Sequence, residues 1–190
     1  MHDNFQLKRD AGLSYRCIET VIDMNEGGYS NDPLDRGGET MFGITKAVAV
    51  AHGYLGEMRD MPRHVAVEIY NVTYWNPMFD YLPPAVAFNL LDARVNHGVP
   101  RATKALQEIV GEDQDGIFGE KTFNSLIKYD QNAFILAFCL KRIYLYSLCI
   151  TARDHANGWN NRIIKNLKHT GHMIGNGLMH GVMKLFEVKT

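Results

Sequence analysis

Residues 14–45, SYRCIETVIDMNEGGYSNDPLDRGGETMFGIT, change character half-way along. Over 14–26, Ile18 and Ile22 recur four apart with Val21 three on from Ile18, so one face is apolar at helical spacing. Gly27-Gly28 stops that pattern, because glycine leaves a helix readily at its C-terminal end. Residues 28–45 are too rich in Gly, Pro, Asp and Asn for a helix, and Thr40-Met41-Phe42-Gly43-Ile44 allows at most a short extended piece or hairpin. Helical patterns return at about 45–52, 62–74, 84–97, 99–110, 119–129 and 131–152. Long helices with short polar joints predict a mainly α domain with at most a small β-hairpin near residues 28–45.

The chain has 190 residues, 46% hydrophobic and 22% charged, which is enough for one compact domain or two small ones sharing a core. Pro77, Pro83 and Pro84 mark the one internal boundary, and its short spacer predicts halves that pack closely. The apolar segment 133–150, AFILAFCLKRIYLYSLCI, is interrupted by Lys141 and Arg142; it reads as a core helix, since a membrane span needs about 20 nearly uncharged residues. From about 158 onward, and above all in HTGHMIGNGLMHG (169–181), Gly, His and Met crowd together, which predicts a loop, a ragged short helix or a mobile tail. No apolar run follows the N-terminus, so no signal peptide is expected.

Net charge is −1, against a nucleic-acid protein held by bulk electrostatics. The sum hides an asymmetry: residues 1–100 carry 8 basic and 13 acidic side chains, and residues 101–190 carry 12 basic and 8 acidic. Chemistry is expected in the acidic half. Cys17, Cys139 and Cys149 form no C-x-x-C pair, so buried free thiols are expected rather than a zinc knuckle, a redox pair or a disulfide scaffold.

Four acids, Glu26, Asp32, Asp35 and Glu39, lie within fifteen residues (26–40). Glu26 continues the i+4 row of Ile18 and Ile22 and ends its helix. Partial desolvation and the negative end of the helix dipole both disfavour its ionised form, and a carboxyl that keeps its proton near neutrality suits a general acid. The loop after Gly27-Gly28 is able to fold Asp35 back toward Glu26, ionised in a wetter place, with Thr40 to hold a water. Two carboxylates in unlike environments across one bond are the working parts of glycoside hydrolysis. The plainer account is a solvated helix end followed by an Asx turn.

EGGYSNDPLDRGGETMFGIT (26–45) resembles the signature of glycoside hydrolase family 108, bacteriophage and prophage endolysins that cleave peptidoglycan as N-acetylmuramidases. The resemblance extends through Tyr74-Trp75, into LLDARVNHGVPRATKALQEIVGEDQDGIFGEKT (90–122), similar to a C-terminal peptidoglycan-binding type region, and to GWNNR (158–162). It implies Glu26 as the catalytic glutamate. Glu26, eight residues, Asp35, four residues and Thr40 also resemble the Glu/Asp/Thr spacing of other phage lysozymes, one residue short in the second gap. Glu39 therefore stands beside Asp35 as a candidate second carboxylate.

Other aromatics invite a sugar-binding reading. Tyr29, Tyr74, Trp75 and Trp159 are candidates to stack on pyranose rings, though Trp75 and Trp159 are more often core residues. Asn96 is a candidate partner for an acetamido group or simply the end of a helix before Gly98. Asp113-Gln-Asp115-Gly fails the calcium-loop pattern, because Phe118 stands where that loop requires glycine, and reads as a turn into a helix. His169, His172 and His180 lack an acidic partner, so no metal is expected, and the glycines at 171–181 do not form a nucleotide-binding pattern.

The expectation is a single compact lysozyme-like unit over 1–190, with a catalytic segment (14–84), a helical peptidoglycan-binding type segment (85–168) and a basic tail (169–190) that leans on the anionic envelope or is merely solvated. The expected activity is cofactor-free hydrolysis of the β-1,4 bond between N-acetylmuramic acid and N-acetylglucosamine. The protein is expected to be a monomer, made in a bacterial host cytoplasm and acting on the wall after release. Lytic transglycosylation and a non-catalytic wall-binding role are the rival readings.

Overall fold

The computed structural model describes residues 9–25, 27–31, 38–148 and 152–174. They form a mainly α, lysozyme-like structure of eight helices and one two-stranded hairpin, divided into two compact units, Met1–Asp80 and Tyr81–Thr190. The division falls just before Pro83-Pro84.

In the N-terminal unit, α1 (Leu13–Asn25) buries Leu13, Cys17, Ile18, Val21 and Ile22, the row predicted from their spacing. It packs on α3 (Arg63–Tyr74), which buries Ala66, Val67, Ile69 and Tyr70. Arg63 ties the two helices electrostatically, its guanidinium meeting Glu19 and, at 2.6 Å, Asp23 of α1. The predicted hairpin is present: β1 (Thr40–Met41) pairs antiparallel with β2 (Ile44–Thr45), Thr40 facing Thr45 and Met41 facing Ile44. Its two-residue turn has both φ values positive, Phe42 at 51° and Gly43 at 74°, the geometry that matches the twist of a hairpin. Phe42 is no natural occupant of that region, and the buried Tyr70 holds it there by donating its hydroxyl to the Phe42 carbonyl at 2.9 Å. Thr45 then caps α2 (Lys46–Ala51), its hydroxyl accepting from the Val48 N–H.

The C-terminal unit is built round α4 (Pro84–His97), in which every residue from Ala85 to Arg94 is buried. It packs against α5 (Val99–Val110), α7 (Gln131–Ser147) and α8 (Ala152–Ile174). Gly98, at φ 81° and ψ 151°, makes the corner from α4 to α5 in a region open almost only to glycine. Asp113–Phe118 form the predicted turn, with Asp115 accepting from the Ile117 N–H at 2.8 Å, and lead into α6 (Glu120–Leu126). Asp130 caps α7 by accepting from the Asn132 and Ala133 N–H groups.

Two expectations change here. Residues 158–174 are not a loop or a ragged short helix but the greater part of α8, which runs to Ile174. Ile163, Asn166, Leu167 and Thr170 are buried at i, i+3, i+4 and i+7, so tertiary packing of one face outweighs the poor helical propensity of Gly158 and Gly171. The last long helix also divides: α7 stops at Ser147 and α8 begins at Ala152. Residues 175–190 of the expected tail, and Cys149, lie outside the described residues; Cys17 and Cys139 are buried free thiols.

One ionic cluster is sealed inside the C-terminal unit. Asp92, fully buried, accepts from Arg142 at 2.6 Å, from Arg162 at 2.9 Å and from the Asn166 amide. Burial alone would raise its pKa; the two guanidiniums outweigh that and hold it below the ordinary carboxylate range. His97 lies against Arg142 and Tyr146, and burial first, then the Arg142 charge, pushes its pKa down to about 3.

Candidate active site

The acidic motif begins where α1 ends. Asn25 is the last residue of the helix; Glu26 and Asp35 lie outside the described residues. From Gly28 the backbone is drawn back onto the hairpin. Ser30 and Thr40 exchange both backbone hydrogen bonds, at 2.9 and 2.8 Å, so the strand leaving Gly27-Gly28 lies beside β1. Thr40 is half-buried, and its backbone forms that bridge on one side while facing Thr45 on the other.

The bridge brings Tyr29 to Glu39. The Tyr29 hydroxyl donates to Glu39 Oε1 at 2.9 Å, and Lys46, the first residue of α2, donates its ammonium to Oε2 at 3.1 Å. Arg59, in the 3-10 turn Met58–Asp60, sits over the Tyr29 ring at 4.9 Å. The Lys46 hydrogen bond first, then that of Tyr29, holds the Glu39 carboxyl below its ordinary pKa. Glu39 is thus an anion throughout the neutral range, with each oxygen already engaged by a donor. It is placed to fix local charge and geometry, and unsuited to donate a proton.

Tyr74 and Trp75 close α3, the former as its last residue and the latter as its cap. The Tyr74 ring is 5.4 Å from that of Tyr70. The Trp75 indole N–H donates to Asp80 Oδ1 at 3.1 Å and its ring meets Phe79 edge-on at 5.3 Å; Arg9 completes the site by pairing with Asp80 at 3.1 Å. Both aromatics are half-buried, and Trp75 is oriented by its polar edge. Asn96 belongs to the other unit, near the end of α4, where its amide oxygen accepts from the Tyr146 hydroxyl. Tyr146 in turn stacks on Trp159 at 4.7 Å.

Of the candidates, then, the fold brings Tyr29 and Glu39 together beside the small sheet that holds Thr40, sets Tyr74 and Trp75 together at the end of α3, and assigns Asn96 to a separate polar network. Lys46 and Arg59 were not anticipated. Neither lies in the acidic motif, and a lysine opening a short helix carries no local mark of an ion pair seven residues back.

Residues 19–98 match the glycosyl hydrolase 108 family. The solved structure titled as that of Brucella abortus SagA is 30% identical, with a TM-score of 0.76 over 88% of this chain and 98% of that one. The chain belongs to the glycosyl hydrolase 108 family. No curated protein matches it. Membership makes the protein a glycosidase and supports a peptidoglycan-hydrolysing function of the muramidase type in general. The family match contains the whole acidic motif, together with Lys46, Arg59, Tyr74 and Trp75.

Proposed function

We propose that this family 108 glycosidase hydrolyses the β-1,4 bond between N-acetylmuramic acid and N-acetylglucosamine, with Glu26 as the general acid. The observation that carries the reading is the family match over 19–98, which contains the motif whose leading carboxyl comes directly after α1 in the sequence. Ile18 and Ile22, eight and four residues before Glu26 in the sequence, are buried. A carboxyl continuing that spacing at the negative end of a helix keeps its proton more readily than a free one.

Protonation of the glycosidic oxygen by Glu26 lets the leaving sugar depart as an alcohol while positive charge grows on the anomeric carbon. Asp35 serves that charge or directs the attacking water, and Thr40 holds the water. Glu39, with Tyr29 on one oxygen and Lys46 on the other, keeps the hairpin edge in register and adds a fixed negative charge; this favours Asp35 over Glu39 as the second catalytic group. Tyr29, Tyr74 and Trp75 offer aromatic surface to the sugars. Residues 85–168 support wall binding, and the protein acts as a monomeric endolysin that reaches the wall from the cytoplasm of its host.

Purified wild type should clear a cell-wall suspension and release reducing ends, and Glu26→Gln should clear it about a hundredfold to ten-thousandfold more slowly, the ordinary contribution of a general acid. Equal clearing by the two proteins would overturn the role of Glu26. Mass spectrometry of the fragments tests the reaction: anhydro sugars in place of reducing ends would make the protein a transglycosylase, and no fragments at all would make it a wall-binding protein.

A further inference from the structure

Among the described residues, Phe42 is the one position other than glycine with a positive φ, 51°, followed by Gly43 at 74°. A two-residue hairpin turn of this kind needs positive φ at both central residues, and Asn-Gly, Asp-Gly or Gly-Gly meets that need with ease. Phenylalanine meets it only under strain. Strain of this sort persists where the surroundings fix it, and it gathers at active sites and ligand clamps.

Phe42 is not held in that conformation to fill the core. Ile44, across the turn, is 4% exposed, whereas Phe42 is half-buried. The Arg63 guanidinium lies 5.9 Å from the centre of the Phe42 ring, and the Arg63 side chain is itself 38% exposed. That contact adds little stability, because the Arg63 charge is already met by Glu19 and Asp23. It does fix where the ring lies. Arg63 joins Phe42 to Asp23 in the last turn of α1, and Glu26 follows Asp23 by three residues in the sequence.

The buried Tyr70 acts on the same turn through its hydroxyl, which donates to the Phe42 carbonyl at 2.9 Å, while its ring lies 5.4 Å from that of Tyr74. Tyr70 thus orders two half-buried aromatics, Phe42 through its backbone and Tyr74 through its ring. Tyr29, the aromatic nearer to Glu26 in the sequence, has Arg59 over its ring at 4.9 Å and its hydroxyl committed to Glu39. Phe42 is held by its main chain, so its ring keeps its surface for another partner. A ring partly open to water, on the hairpin that carries Thr40, suits the apolar face of a pyranose.

We propose that Phe42 is a substrate-contact residue for the peptidoglycan hydrolysis proposed for this chain, a reading on which this one rests: its ring stacks on a sugar of the glycan, and Tyr70 positions it.

Initial rates of fragment release from purified cell walls, taken over a range of wall concentrations, separate binding from chemistry. Phe42→Asn removes the ring and gives the turn its favoured Asn-Gly pair, so the hairpin keeps its shape. It should raise KM roughly five- to tenfold and leave kcat within about twofold, the pattern of a contact made equally in the ground and transition states. Phe42→Tyr should keep KM within about twofold of wild type, since the ring remains. Tyr70→Phe loses only the hydroxyl and should raise KM by a smaller factor; added to Phe42→Asn it should change nothing more, because no ring is left to position. Thermal midpoints of the two Phe42 variants should stay within about 4 °C of wild type, the scale of one minor contact in a chain of this size. Should Tyr70→Phe lose its fold, as circular dichroism would reveal, the Phe42 variants decide.

A KM raised as far in Phe42→Tyr as in Phe42→Asn overturns the stacking role. So does a fall in rate accompanied by a midpoint far below that range, which would make Phe42 a packing residue. If wild type releases no fragments, the hydrolytic reading fails and this one with it; if wild type releases them and Phe42→Asn keeps the wild-type KM, this one fails alone.

Discussion

Glu39 shows how a single side chain is given its charge by residues far from it in the chain's local pattern. Lys46 contributes more than Tyr29 to holding it ionised. In a carboxyl titration followed by NMR, Lys46→Met should therefore raise the Glu39 midpoint more than Tyr29→Phe; the reverse order would mean that the phenol, and not the ammonium, sets the charge. His97 is the opposite case, a base kept neutral. Its folded pKa of about 3 lies below the ordinary value near 6.5, so between those two the unfolded chain binds the additional proton. The contribution of neutral His97 is complete above about pH 6.5 and is lost as pH falls toward 3, with a slope of at most about 1.4 kcal/mol per pH unit. Asp92, depressed below its unfolded value, adds a further loss only below about pH 4. Denaturant melts across pH 7 to 4 should show the His97 slope in wild type and a flatter profile in His97→Gln.

Among the elements, α4, α5 and α1 follow from sequence periodicity, whereas α8 does not. Its glycines argue against a helix, yet the buried row Ile163, Asn166, Leu167 and Thr170 holds it in place. Gly158 is then a residue whose flexibility serves no contact: a Cβ there meets nothing within 4 Å, and no positive φ is required. Gly158→Ala should stabilise the protein by about 0.5–1 kcal/mol, through the helix propensity and the lower entropy of the unfolded chain. Gly98→Ala should do the reverse. No side chain blocks it, but its φ of 81° is a conformation alanine adopts only at a cost of about 1–3 kcal/mol. Thermal melts of the two variants should move in opposite directions.

At the scale of the molecule, two units divide the work of stabilisation, an apolar seam between α1 and α3 in one and a core round α4 with a buried charge cluster in the other. Removing one member of such a cluster leaves uncompensated charge, so Asp92→Ala should cost about 3–5 kcal/mol and release amide protons of α4, α7 and α8 first in hydrogen exchange. Uniform loss of protection in the N-terminal unit as well would show that the two unfold as one. The helical class, the hairpin at 40–45, the turn at 113–118 and the family were all legible in the order of residues, because each rests on local periodicity, turn chemistry or a contiguous motif. The extent of α8, the Phe42 turn held by Tyr70, the ionised state of Glu39 and the Asp92 cluster were not. Each depends on partners brought together from distant positions, where packing overrides local preference and the charge of a group is set by what the fold places beside it.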